Sequence, residues 1–254
     1  TNYATNEELY AKLKGGGASY DVIIPSDYMI SKMIKENMVQ PLDFENIPNF
    51  KYIMDNFRNM AYDPENSYSV PYTWGTVGII YDKTMIDLPE DEIDWDLLWN
   101  KDYSDKMGAG DALIAPYYAG DALTILDENE DLGFVIPKSG TNLFIDAMCI
   151  PAGAKQKEAA EMYINFMCEP DVAYANIDYI CYSTPHQAAY DMLDEDVKNN
   201  PVSYPDQDFI SKHTTVFVNI SDKANKQMQD LWTEMKSAQA ENENTWLVPI
   251  FLIL

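Results

Sequence analysis

The sequence predicts an α/β fold, and three observations carry that expectation. Short apolar runs bounded by proline or glycine alternate with segments whose apolar residues recur at helical spacing. One long stretch, Tyr68 to Tyr81, is rich in β-branched and aromatic residues and contains Gly75 and Gly78. The 254 residues, 46% apolar and 13% aromatic, suffice for one large core or two smaller ones. Strand and helix alternating in this rhythm predict a largely parallel sheet.

The elements follow in order. Thr5-Asn6-Glu7-Glu8 has the form of a capping box with Thr5 as N-cap, and the helix it opens stops at Gly15-Gly16-Gly17. Tyr20 to Ile24 reads as a short buried strand ended by Pro25. Ser26 can cap the next helix, which places Met29, Ile30, Met33 and Ile34 on one face. Ser26 and Tyr28 fall at the carboxyl end of a strand, where open α/β sheets bind ligands. A helix N-terminus attracts anions, so a cation held there needs carboxylates that outweigh the dipole. Gly75 and Gly78, beside Tyr72 and Trp74, mark either a strand that bends next to a bound group or a kinked core strand.

Asp94 to Trp99 forms a short amphipathic turn, and Ala112 to Ala115 a strand that leads into Tyr117-Tyr118 and a helix start. Phe134 to Pro137 is a further strand. Asn142 to Pro151 is an apolar strand with one carboxylate, Asp146, in its middle. A buried carboxylate without a partner is costly, so Asp146 needs one: a backbone amide, a lysine or a cationic ligand. Period-two alternation turns Ile145 and Ala147 to the opposite side. Lys155 to Cys168 reads as a helix with Ala160, Tyr163, Ile164 and Met167 on one face, and Pro170 opens another. Tyr182-Ser-Thr-Pro is a loop. The helix from Lys223 to Ser237 carries Met228, Leu231, Trp232 and Met235 on one side. Residues 238–254 form a tail, polar and then apolar, whose apolar run is too short to span a bilayer and is split by Pro249.

The formal charge of −25 disfavours nucleic-acid and anionic-membrane partners and favours cationic ligands. Cys149, Cys168 and Cys181 are too few for a disulfide framework, and the first two lie in apolar runs. His186 and His213 have no metal-ligand spacing. Gly15 to Gly17 follows a helix and precedes a strand, the reverse of a phosphate-cradling loop, and no G-x-S-x-G elbow occurs. The expectation is a binding protein and not an enzyme, with no cofactor and no metal.

The residues that carry a resemblance are Tyr20-Asp-Val-Ile-Ile-Pro-Ser-Asp-Tyr28, Tyr68-Ser-Val-Pro-Tyr-Thr-Trp-Gly75, Trp95-x-x-Leu-Trp99, Phe144-Ile-Asp146-Ala, Ile150-Pro-Ala-Gly-Ala-Lys155, Ile164-Asn-Phe166 and Tyr182-Ser-Thr-Pro185. In this order the chain resembles the spermidine/putrescine-binding proteins of bacterial polyamine ABC importers. The resemblance implies a periplasmic-binding-protein fold, two α/β lobes joined by crossing strands, with the second lobe incomplete. It divides the chain into residues 1–78 plus 146–190 for the first lobe, 79–145 plus 191–237 for the second, and 238–254 outside both. It further implies that Ser26, Tyr28, Trp74, Tyr118, Phe144, Asp146 and Tyr182 bind the ligand. Tyr118 and Phe144 stand where relatives carry other aromatic residues. A polyamine is a string of cations joined by methylenes, so carboxylates suit its charges and aromatic faces the rest. Implied partners are a polyamine and the importer's membrane permease, with the receptor a monomer outside the cytoplasm although no export signal opens the chain. Against the family, an opening strand before Thr1 and a strand-and-helix stretch between Lys106 and Met107 are absent, and the tail has no counterpart. The alternatives are a receptor for another small solute such as a sugar, or a non-binding fragment of the family.

Overall fold

The computed structural model describes residues 5–16, 19–100, 114–217 and 220–241. Helix α1 (Asn6–Lys14) begins at Thr5, whose hydroxyl accepts the Glu8 backbone N–H at 3.1 Å, and ends on Gly15. Helix α2 (Asp27–Lys35) buries Met29, Ile30 and Met33, as their spacing requires. Three short 3-10 turns then lead to β1 (Ser69–Asp82), the longest strand of the molecule as described. Strand β2 (Ile114–Tyr118), α3 (Ala119–Glu128), β3 (Leu132–Val135) and β4 (Thr141–Cys149) follow. The rest is helical apart from β5 (Thr214–Thr215): α4 (Lys157–Met167), α5 (Pro170–Ile180), α6 (Gln187–Met192), α7 (Glu195–Lys198), α8 (Gln207–His213) and α9 (Asp222–Glu241).

Strand β1 changes partners along its length. From Ser69 to Thr76 it pairs with β4, and from Val77 to Asp82 it lies between β2 and β3. The glycines sit at this exchange because rings cross the strand there. A Cβ on Gly75 would lie 2.8 Å from the Phe144 ring, and one on Gly78 would lie 2.3 Å from the Phe134 ring. The larger hydrophobic cluster gathers Ile23, Ile30, Val70, Trp74, Ile145 and Ile164, with Tyr204, Ile210 and Val216 packed against it. Two smaller clusters form beyond the exchange, one on Ile79, Tyr81 and Ile114 and one on Ala119, Ala122 and Phe134.

Several expectations need correction. Among the described residues the sheet is not largely parallel: β1 is antiparallel to β2, β3 and β4, and only β4 and β5 run parallel. Neighbouring strands here are made by the chain crossing and returning, which sets them antiparallel, whereas parallel neighbours need a crossover. Tyr20 to Ile24 contributes one bridge, Ile23 to Cys149, and not a full strand. Tyr117 and Tyr118 belong to β2 itself, and β3 begins two residues before Phe134. On α4, Tyr163 is exposed and Glu161 is buried in its stead. Glu161 satisfies its charge locally, accepting the Asp43 backbone N–H and an Asn46 side-chain N–H, both at 2.8 Å, beside Lys157. Helix α9 runs on to Glu241, so the first residues of the expected tail are helical, and Met228 and Leu231 are exposed on it. The Lys106–Met107 junction and residues 242–254 lie outside the described residues.

Candidate functional site

Strand β4 places three side chains in a row on one face. Asn142, Phe144 and Asp146 alternate with Leu143, Ile145 and Ala147, which enter the larger core. A bridge between Asp146 and Ser26 brings the start of α2 against this face. Ser26 occupies the N-cap position but does not cap: its hydroxyl donates to Asp146 Oδ1 at 2.6 Å. Asn6, at the start of α1, holds Ser26 from the other side, donating to its Oγ at 3.0 Å and accepting its backbone N–H at 3.1 Å.

A cavity of about 210 Å³ opens over these groups. Its walls are Asn6, Ser26, Tyr28, Tyr118, Asn142, Phe144, Asp146, Tyr182 and Phe217. The Phe144 ring forms the floor, met edge-on by Tyr118 at 5.1 Å and by Tyr182 at 6.1 Å. Tyr182 lies flush on α3 because position 120 is glycine; a Cβ there would stand 2.5 Å from its ring. Phe217 meets Tyr28 edge-on at 6.0 Å. Tyr28 donates its phenol to Glu7 at 2.9 Å.

The electrostatics centre on one carboxylate. Burial pushes the Asp146 carboxyl above the usual range, while hydrogen bonds from Ser26 and Thr73 pull it back. No lysine, arginine or histidine lines the cavity among the described residues. Hydroxyls alone therefore oppose the cost of burying this charge. Burial likewise raises the phenols of Tyr28, Tyr118 and Tyr182, with Glu7 adding to the first, Asp146 to the second and Asp121 to the third, so all three stay neutral. Behind Ser26, Asp27 is fully buried. Its Oδ1 accepts the Tyr28 backbone N–H at 2.6 Å, the Ile145 backbone N–H also pulls on the carboxyl, and Oδ2 makes no hydrogen bond of normal geometry. Burial first, and then the charge of Asp146, push the Asp27 carboxyl up to about 7 against the pull of backbone hydrogen bonds.

Six of the seven residues predicted from the sequence thus meet at one cavity. Trp74 is set apart: it is 3% exposed, packs on Phe57 and Tyr204, and donates its indole N–H to the Thr184 carbonyl. Asn6, Asn142 and Phe217 escaped the sequence reading. Asn142 was legible in principle, two alternations before Asp146 on the same face. A larger groove of about 520 Å³ lies around Leu13, Lys14, Tyr20, Glu36 and Gly153. Glu36, its one acid among the described residues, already accepts from Tyr10 at 2.7 Å and Lys14 at 3.2 Å, so the groove offers no unpaired charge.

An open α/β fold whose strand face, loop and helix start enclose one carboxylate in aromatic walls defines a receptor for a small solute. The chain belongs to the bacterial extracellular solute-binding protein family, which matches it over residues 18–113 and 95–213. The spermidine/putrescine-binding periplasmic protein of Salmonella typhimurium is 31% identical over 268 residues, covering 84% of this chain and 77% of that one. That alignment is longer than the 254-residue chain, so the relative carries stretches this chain lacks. The solved structure of a Listeria monocytogenes protein described as a spermidine/putrescine ABC transporter superposes with a TM-score of 0.84 at 32% identity, covering 93% of this chain and 89% of that one. The substrate-binding protein PotD of Streptococcus pneumoniae superposes with a TM-score of 0.78 at 32% identity, covering 92% and 89%. Among the described residues no helix is long and apolar enough to cross a membrane.

Proposed function

We propose that this chain captures a polyamine, putrescine or spermidine, outside the cytoplasm and presents it to the permease of an ABC importer, with no catalytic step of its own. One observation carries the reading: Asp146 is a buried carboxyl held by hydroxyls, with no basic side chain lining its cavity. An ammonium group supplies the missing countercharge and up to three N–H donors. The rings of Tyr28, Tyr118, Phe144 and Tyr182 then cover the methylenes and face the charge. Ser26 orients the carboxylate. The names of the relatives support both the ligand class and the importer.

The mechanism is closure of two lobes, residues 1–78 plus 146–190 against 79–145 plus 191–237, acting as a monomer. Ser26 and Tyr28 come from the first, and Tyr118 from the second. A ligand that touches both favours the closed form by its differential contacts. Titration calorimetry with putrescine, spermidine, sugars and amino acids tests the reading. Putrescine or spermidine should bind and the sugars should not. A sugar bound tightly with both amines silent would reject the polyamine and leave the receptor class standing.

A further inference from the structure

Ser26 and Asp27 are adjacent in sequence but point to opposite fates. Ser26 reaches the cavity; Asp27 turns into the protein, with no exposed surface and one carboxyl oxygen without a hydrogen bond of normal geometry. A buried ionised carboxylate normally recruits donors to both oxygens, and a bare oxygen is the natural place for a proton.

We propose that Asp27 is a second carboxyl of this site, protonated when the cavity is empty and ionised when an amine occupies it, so that ligand capture releases a proton. The inference rests on the polyamine reading above. The change is a simple dissociation: the O–H bond at Oδ2 breaks, the electron pair stays on the carboxylate, and the proton passes to the buffer.

The surroundings of Asp27 are acidic or neutral. Strand β4 presents Asp146. From the loop before β1 comes Tyr62, buried, its phenol raised by burial and by its neighbours Cys149, Asp27 and Asp63. Asp63 is fully engaged, accepting from the Ser67 and Tyr68 backbones and the Ser69 hydroxyl. Helix α1 presents Glu7, taken up by Tyr28, and the basic residues of α2 lie in its last turn. The helix dipole at the start of α2 favours the ionised form of Asp27 but is outweighed by burial and by Asp146. An ammonium over Asp146 neutralises that nearby charge and so removes the carboxylate that opposes ionisation of Asp27, which tips Asp27 toward the ionised form. An aliphatic amine with a pKa near ~10 arrives fully protonated, so the released proton cannot come from the ligand.

The sign follows. Below about 7 the empty protein holds the proton on Asp27, and binding must expel it, so affinity rises with pH. Above that point Asp27 is already ionised and the dependence flattens. One released proton gives at most about tenfold per pH unit.

The test is calorimetry of the intact chain with putrescine near neutral pH, in phosphate and in Tris, whose ionisation heats differ. Heats that differ between buffers, by a fraction of a proton released per ligand, support the proposal. Asp27→Asn should still bind, several-fold more weakly, with heats equal in both buffers and affinity flat with pH. Should that variant not fold, difference infrared spectroscopy of the parent replaces it: the C=O band of a protonated carboxyl should vanish on adding putrescine. Equal heats in both buffers with the parent, or an Asp27→Asn protein that still releases a proton, would overturn the assignment and place the proton on Asp146 or nowhere. A parent that binds neither putrescine nor spermidine would overturn the polyamine reading as well.

Discussion

At the scale of the residue, Asp146 and Asp27 are two buried carboxyls, one on the cavity wall and one behind it, and each makes its own prediction. Asp146→Asn keeps shape and some hydrogen bonding, so it isolates charge. Losing one member of a desolvated charge pair costs on the order of 2–5 kcal/mol, or tens- to thousands-fold in affinity. Calorimetry should therefore show amine binding abolished, while the ligand-free melting temperature holds or rises, since no lysine or arginine in the cavity wall loses a partner. A marked loss of stability with affinity intact would make Asp146 structural. Beside its effect on binding, Asp27 makes a prediction about stability. Its folded pKa, about 7, lies above that of the unfolded chain, so its contribution is full below the ordinary carboxylate range and is lost as pH rises to about 7. Asp27→Asn should gain on the parent by on the order of 2–4 kcal/mol across that window, read as denaturation midpoints against pH. Equal pH profiles would show that Asp27 is not buried as described. Asp146 was legible in the sequence because a lone carboxylate in an apolar strand demands a partner. Asp27 was not, because an acid in the first turn of a helix is ordinary dipole chemistry and only burial makes it strange. Ser26 was expected to cap α2 and does not: its hydroxyl donates to the distant Asp146 and accepts from Asn6, leaving the helix N–H groups without it.

At the scale of the element, β1 organises the molecule, and its glycines are the places where rings demand room. Local composition revealed the strand and both glycines, but not the rings that cross them, Phe134 and Phe144, which arrive much later in the chain. The period-two pattern of β4 likewise followed from sequence, while strand direction did not, because pairing is decided by connections that composition does not encode. The two glycines of β1 and Gly120 of α3 make separable predictions. Gly75→Ala puts a methyl 2.8 Å from the Phe144 ring, and Gly120→Ala puts one 2.5 Å from the Tyr182 ring. Each pushes an aromatic wall into the cavity and should weaken amine binding about tenfold or more, at a stability cost of about 1–3 kcal/mol. Gly78→Ala meets the Phe134 ring and the Val135 carbonyl instead, at 2.3 and 2.5 Å. It should destabilise the fold at least as much, yet leave the affinity of the folded fraction near that of the parent. Thermal melts paired with calorimetry separate the two patterns; loss of affinity in Gly78→Ala alone would place the ligand elsewhere.

At the scale of the whole molecule, the formal charge of −25 surrounds a site that holds a single carboxylate on its wall. Such a field concentrates cations near the surface and speeds their capture, while the short-range contacts hold them. The two contributions separate with salt. The Debye length falls from about 10 Å at 0.1 M to about 3 Å at 1 M, so the long-range attraction of the acidic surface is screened away first. The proposed pair between Asp146 and an ammonium would be buried and shielded from ions, so it should survive. Stopped-flow binding of putrescine in rising sodium chloride should thus show the association rate falling steeply and the dissociation rate changing little. Asp146→Asn should raise the dissociation rate at every salt concentration and keep the same salt slope for association, provided binding stays measurable. Association that ignores salt would mean that the surface charge serves solubility alone; dissociation that quickens with salt would mean that the ligand sits in water and not in the aromatic box.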